Sequence, residues 1–173
     1  IPYLMLALRD PFWWYEREQE ADVLLKAIED MGSVAVDTLL EALTDSEMTV
    51  RRYAAGLLGN IGDKRAIEPL GMTLYDTHFE VGQTAAESLA GFGAPGLKIL
   101  AEALYHPEMW LRQHAIFGLT LSGDKRILPS ILEMLNDPER EVQKQAIQSL
   151  GELKDERALP ALQAIVINRA DKE

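Results

Sequence analysis

The chemistry most readily sought in this 173-residue chain is that of imidazole beside carboxylate, since it holds three histidines and no cysteine. Two of the histidines open His-x-Glu triplets, His78-Phe79-Glu80 and His106-Pro107-Glu108, at turns one repeat apart, where an imidazole and a carboxylate could meet. A metal needs three or four converging ligands and a supporting shell of hydrogen bonds. Turns between helices are polar for solubility and capping, so both triplets are read as turn residues and no metal is assigned. The third, His114, stands on a helix with no serine or carboxylate placed beside it by the repeat register, so it reads as a partly buried packing residue and not as a base. No catalytic residue and no cofactor follow. The lack of cysteine also removes disulfides, thiolate nucleophiles and every cysteine-bearing zinc or iron–sulfur site.

The elements that would position any such chemistry come from the whole sequence. With 47% hydrophobic residues the chain can bury a core. Its 28 acidic and 17 basic residues leave a net charge of −11, which opposes binding to nucleic acid and to anionic membranes. The first 48 residues hold 11 of the acids, among them Glu16, Glu29, Asp37, Glu41 and Asp45, against Arg9, Arg17 and Lys26. No apolar run approaches the roughly 20 residues of a membrane span. Ile1–Leu8 runs straight into Arg9-Asp10-Pro11 and not into a small-residue cleavage site. The expectation is a cytoplasmic protein without a targeting segment.

An internal repeat dominates. The run Val50-Arg51-Arg52-Tyr53-Ala54-Ala55, continuing to Leu58 and Asp63-Lys64-Arg65, returns at Leu111-Arg112-Gln113-His114-Ala115 with Asp124-Lys125-Arg126. It returns again from Val142 through Ala146 and Leu150 to Asp155-Glu156-Arg157. A weaker copy begins at Val81, where Gly93-Ala94-Pro95-Gly96 replaces the Asp-x-Arg turn. The period is about 31 residues, which identifies a solenoid. Within a unit, Val50, Ala54 and Leu58 share one face of a first helix, and Leu70 and Leu74 define a second. Pro69, Pro129 and Pro160 stand near the start of that second helix, where an amide has no acceptor to lose. Asn136-Asp137-Pro138 reads as an N-cap with proline at the first helical position, and Thr77-His78-Phe79-Glu80 as a capping box.

The register extends upstream. It predicts an all-α, right-handed α-solenoid of about five helical hairpins forming one domain over 1–173. The units fall at about 16–49, 50–80, 81–110, 111–141 and 142–173, after a partial unit over 1–15. Ile1–Arg9 resembles the second helix of a still earlier unit, so the chain reads as a segment of a longer array.

The pattern Val-Arg-Arg-x-Ala-Ala-x-x-Leu-Gly-x-Ile-Gly-Asp-x-Arg-Ala-x-x-Pro-Leu at Val50–Leu70 resembles the short HEAT-like repeats of the phycobilisome-lyase (E/F-type) family. The resemblance covers nearly the whole chain and implies the fold. It leaves function open among bilin lyase subunits, assembly factors and bacterial proteins that only bind other proteins. One HEAT-like family, that of deoxyhypusine hydroxylase, carries a di-iron centre on adjacent His-Glu pairs. Here His114-Ala115 corresponds to Tyr53-Ala54, Thr84-Ala85 and Gln145-Ala146, which excludes that centre. HEAT-like alkylpurine DNA glycosylases need a cationic groove, and an isoelectric point of 4.7 offers none.

Helix phase then gives a candidate binding face. If Leu70 and Leu74 point inward, Glu68, Met72 and Tyr75 point away, onto the surface lined by successive second helices. Carried through the repeats, this predicts one row of Glu41, Met72, Glu102, Glu133 and Gln163, and another of Thr44, Tyr75, Tyr105 and Asn136. Such a groove suits a protein partner with a basic or mixed-charge surface. A bilin would ask for arginine beside its propionates, and the rows contain none. Trp14 and Trp110, with Phe12 and Trp13 beside the first, are expected to wedge between units. The Asp-x-Arg turns are expected to pair Asp with Arg between stacked neighbours.

Overall fold

The computed structural model describes residue 9 and residues 18–170. The expected helix over Ile1–Arg9 and the aromatic cluster of Phe12, Trp13 and Trp14 lie outside the described residues, save for Arg9.

Among the described residues every regular element is a helix. Ten α-helices run as α1 (Glu18–Asp30), α2 (Ser33–Ala42), α3 (Met48–Ile61), α4 (Ile67–Thr73), α5 (Phe79–Gly91), α6 (Ala94–Ala103), α7 (Met109–Leu121), α8 (Leu128–Glu133), α9 (Arg140–Leu153) and α10 (Leu159–Ala170). Odd-numbered helices are the first of each hairpin and even-numbered ones the second. First helices stack on first helices, α3 on α5, α5 on α7 and α7 on α9, while α2, α4, α6 and α8 each pack on the first helix that follows.

The apolar period builds the core as expected. Val50, Ala54 and Leu58 of α3, Val81, Ala85 and Leu89 of α5, and Val142, Ala146 and Leu150 of α9 are all buried, and Leu70, Leu74, Leu100, Leu104 and Ile131 meet them from the second helices. Small residues let the first helices approach closely. A Cβ built on Gly118 would stand 2.6 Å from the Ala86 carbonyl oxygen, and the Ser88 hydroxyl donates to the Ala55 carbonyl at 2.9 Å.

Three hairpins turn through Asp-x-Arg. Asp63, Asp124 and Asp155 accept from the amides of Arg65, Arg126 and Arg157 and cap the short 3-10 turns that lead into α4, α8 and α10. The residue just before each of these aspartates is left-handed. Gly62 and Gly123 take φ of 71° and 64°, and Lys154 takes the same region at 48°.

Three local expectations are corrected. Each Asp-x-Arg pair closes within its own turn, Asp63 on Arg65, Asp124 on Arg126 and Asp155 on Arg157, because the capping carboxylate already bonded to the arginine amide lies within reach of the same residue's guanidinium. Links to the preceding unit do exist, but they run from Arg65 to Asp37 and from Arg157 to the Lys125 carbonyl. Asn136 closes a 3-10 turn over Met134–Asn136, and α9 starts later, at Arg140. The Thr77–Glu80 capping box does not form: the α5 N-cap is His78 without a side-chain cap, and it is Asp76 that accepts the His78 amide at 2.9 Å.

Candidate protein-interaction face

The candidate face is built on the C-terminal ends of the second helices and on the loops that follow. Each loop is shaped by one acceptor side chain two residues before an amide. Asp45 accepts from Glu47 N–H, Asp76 from His78, and Asp137 from Glu139. In the fourth loop His106 does the same work, its Nδ1 accepting from Glu108 N–H at 3.1 Å. Thr44, Tyr75, Tyr105 and Asn136 each precede one of these anchors directly, so the loop geometry fixes where the second row stands.

The loops are held from beneath by arginines that the sequence reading did not single out. Arg112 of α7 grips both oxygens of Asp137 at 2.7 Å, and its Nη1 reaches the carbonyls of His106 and Pro107 at 2.9 and 2.8 Å. Arg51 of α3 binds Asp76 in the same bidentate way and donates to the carbonyls of Asp45 and Ser46. Burial alone would raise the pKa of Asp76 and Asp137. The arginine hydrogen bonds and charge, with the loop amides, outweigh it and hold both carboxyls below the usual carboxylate range. The signal was present: each arginine follows the first buried residue of its helix and precedes its aspartate by 25 positions.

In α9 the arginine's position is held by Gln143, whose side chain still donates to the Asp137 carbonyl at 2.6 Å; in α5 the series breaks and the contact is lost altogether. Gly82 stands where Arg51 and Arg112 stand, and the imidazole of His114 moves into the space, its Nε2 2.7 Å from where a Gly82 Cβ would lie. His114 is 1% exposed, more deeply buried than expected, and neither ring nitrogen has a hydrogen-bond partner. Desolvation lowers its pKa to about 4, so it is neutral. Phe79 of α5 and Trp110 of its own helix flank it with ring centroids 4.5 and 5.7 Å away; Trp110 is half-buried against the core.

On this frame the eight site residues Glu41, Thr44, Met72, Tyr75, Glu102, Tyr105, Glu133 and Asn136 are all exposed, as is Gln163. Met72 and Tyr105 show 75% and 62% of their surface to solvent. Thr44, Met72 and Tyr75 come together around a depression of about 240 Å³ floored by Leu40 and Leu43. Tyr75 meets the His106 ring edge-on at 5.4 Å. The Tyr105 hydroxyl donates to Glu133 at 2.7 Å, and that carboxylate, with a smaller part from burial, raises the phenol pKa. Glu102 lies 3.9 Å from Lys98 one turn away, while the Thr44 hydroxyl turns back to the Glu41 carbonyl. The loop histidines serve their own turns, His78 beside Thr77, Asp76 and Arg51 and His106 on Glu108. Among the described residues no group of three potential ligands converges, and no helix is long and apolar enough to cross a membrane.

Stacked helical hairpins with a continuous core and an exposed second-helix face define an α-solenoid repeat protein. The family model described as HEAT repeats matches residues 1–90, 36–110 and 97–173, and the chain belongs to that family. Among solved structures it is similar to a chain in the complex of CpcE and CpcF of phycocyanin lyase from Nostoc sp. PCC7120. Identity there is 25% and the TM-score 0.65, with 86% of this chain and 96% of that one covered. An engineered protein matches at 21% identity and TM-score 0.55, over 96% of this chain and 79% of that one. Human deoxyhypusine hydroxylase in complex with glycerol matches at 21% and 0.53, over 92% and 65%. These last two show the fold alone. No curated protein matches the chain.

Proposed function

We propose that the chain is a non-enzymatic, cytoplasmic scaffold or assembly factor that grips a protein partner on the face lined by its second helices. The observation that carries this reading is the exposed row of Met72, Tyr75 and Tyr105, set among Glu41, Glu102 and Glu133 on loops pinned by buried arginines. Large side chains left in water on a rigid support are what an interface requires, and carboxylates around them select a basic or mixed-charge segment. Tyr75→Ala or Tyr105→Ala should weaken the partner by about 1–3 kcal/mol, mostly through faster dissociation. Glu102→Gln and Glu133→Gln should slow association and flatten its salt dependence. Co-purification followed by surface plasmon resonance at two ionic strengths checks both. Tyrosine variants that bind like the parent, with binding lost on replacing Trp13, Trp14 or Trp110 in a folded protein, would move the interface to the aromatic turns.

A second reading is a subunit of a bilin lyase or other chromophore-handling complex. It is favoured by the 25% identity over 96% of the phycocyanin lyase chain. Against direct pigment binding, the rows hold no arginine for a propionate. A shifted, structured visible spectrum on mixing the protein with a bilin would establish pigment handling, and an unchanged spectrum would leave the scaffold.

A further inference from the structure

Arg65 and Arg126 occupy the same place in their hairpins and are hooked to their own aspartates through Nε and Nη2. Arg65 has one nitrogen left, Nη1, and spends it on Asp37 of the preceding second helix at 2.6 Å. The displacement that carries Gly32 to Gly93, Asp63 to Asp124 and Arg65 to Arg126 carries Asp37 to Lys98. Where α2 meets the turn before α4 through an ion pair, α6 therefore meets the turn before α8 with two cations. Arg126 Nη1 has no partner among the described residues, and Lys98 has only the loose 3.9 Å contact with Glu102.

Lys98 and Arg126 line one pocket of about 320 Å³ between α6 and α8, with Leu97, Ala101, Leu119 and Ile127 giving it an apolar floor. Asp124 also lines it, but its oxygens are taken by the Arg126 side chain and amide. The mouth of the pocket is thus net positive on a chain of net charge −11. Each cation is exposed, and one exposed ion pair contributes little by itself. Two cations on the rim of one pocket, with an apolar floor beneath, favour a ligand that satisfies both features at once.

We propose that this pocket binds a carboxylate carried on an apolar stem. The carboxylate takes the place that Asp37 holds in the earlier hairpin, between Lys98 and Arg126, and the stem covers Leu97, Ala101 and Ile127. The site borders the partner face, through Ser130 beside Tyr105 and Lys98 beside Glu102, but takes its ligand through neither tyrosine.

The test is an amide NMR titration of the intact chain with three probes: octanoate, octanamide, and a blocked leucine–glutamate–leucine tripeptide. Octanoate, the tripeptide or both should shift the amides of residues 97–101 and 124–130, with octanamide at least about tenfold weaker. Lys98→Asp, which restores the ion pair of the earlier hairpin, should abolish these shifts while leaving the melting temperature unchanged or higher, and Arg126→Gln should weaken them about tenfold. Binding of the tripeptide without octanoate assigns the carboxylate to a glutamate of a protein partner. The reverse assigns a free amphipathic acid. Octanamide binding as tightly as octanoate, a Lys98→Asp variant that binds like the parent, or silence from both acids up to about 10 mM overturns the site.

Discussion

Replacing Arg112 with methionine should be the most damaging single change available in a loop-supporting position. Its partner, the Asp137 side chain, is 3% exposed, and the variant leaves that carboxylate with only the Glu139 amide, while the carbonyls of His106 and Pro107 lose their donor. Breaking a buried pair from one side costs about 3–5 kcal/mol. Methionine keeps most of the stem's packing, so the loss is one of charge and hydrogen bonds and not of volume. The pH dependence separates this account from general disruption. Asp137 has a lowered pKa in the folded parent, so its contribution is full above the unfolded value of about 4 and is lost as pH falls through the folded one. In Arg112→Met the same carboxyl is buried without its cation, its pKa moves up, and protonation relieves it. The gap between parent and variant should therefore be widest near neutral pH and close in acid. Urea unfolding followed by tryptophan fluorescence and by circular dichroism, repeated from pH 7 down to about 3.5, measures it. Using both probes guards against an array that melts in pieces. A gap under about 1 kcal/mol, or one that stays constant across this range, would refute the reasoning.

Two further outcomes follow from the same geometry. His114→Leu should stabilise the fold by about 1–2 kcal/mol, because it removes two unpartnered buried nitrogens. The parent should lose stability as pH falls below the unfolded value of about 6.5 toward the folded value of about 4, and the leucine variant should lose that part of the slope, read by thermal melts across the interval. Lys154→Gly should raise stability by up to about 1 kcal/mol, since Lys154 holds the left-handed conformation that Gly62 and Gly123 hold elsewhere; a lower midpoint in urea would show that the lysine side chain matters more than its backbone.

The helices and core were legible because two periods agree. The 3.6-residue period chose Val50, Ala54 and Leu58, and the repeat required their counterparts to be buried with them. The exposure of Met72, Tyr75 and Tyr105 followed from the same phase. The arginine supports were hidden because charged side chains ordinarily face water, and Arg51 and Arg112 are buried only because an aspartate one loop onward receives them. The same fact explains the misplaced cap at Asn136-Asp137-Pro138: Asp137 is engaged with Arg112, so α9 starts beyond it. Thr77 lost its expected capping role to Asp76 for a similar reason. His114 was read as partly buried because nothing in one repeat shows that Gly82, in another, vacates the space its ring fills.

The glycine at that break also sets how the molecule yields to force. Arg51 ties the loop at Asp45 to the loop at Asp76, and Arg112 ties the loop at His106 to the loop at Asp137. Between the Asp76 and His106 loops no such tie exists among the described residues; the ring contacts of Tyr75 with His106 and of Phe79 with His114 span it instead. In mechanical terms this edge is two brackets, each tied by a buried arginine, joined at a bearing made of ring contacts, with Tyr75 on one bracket and Tyr105 on the other. Flexing the bearing changes the spacing of the two tyrosines while leaving each seat intact.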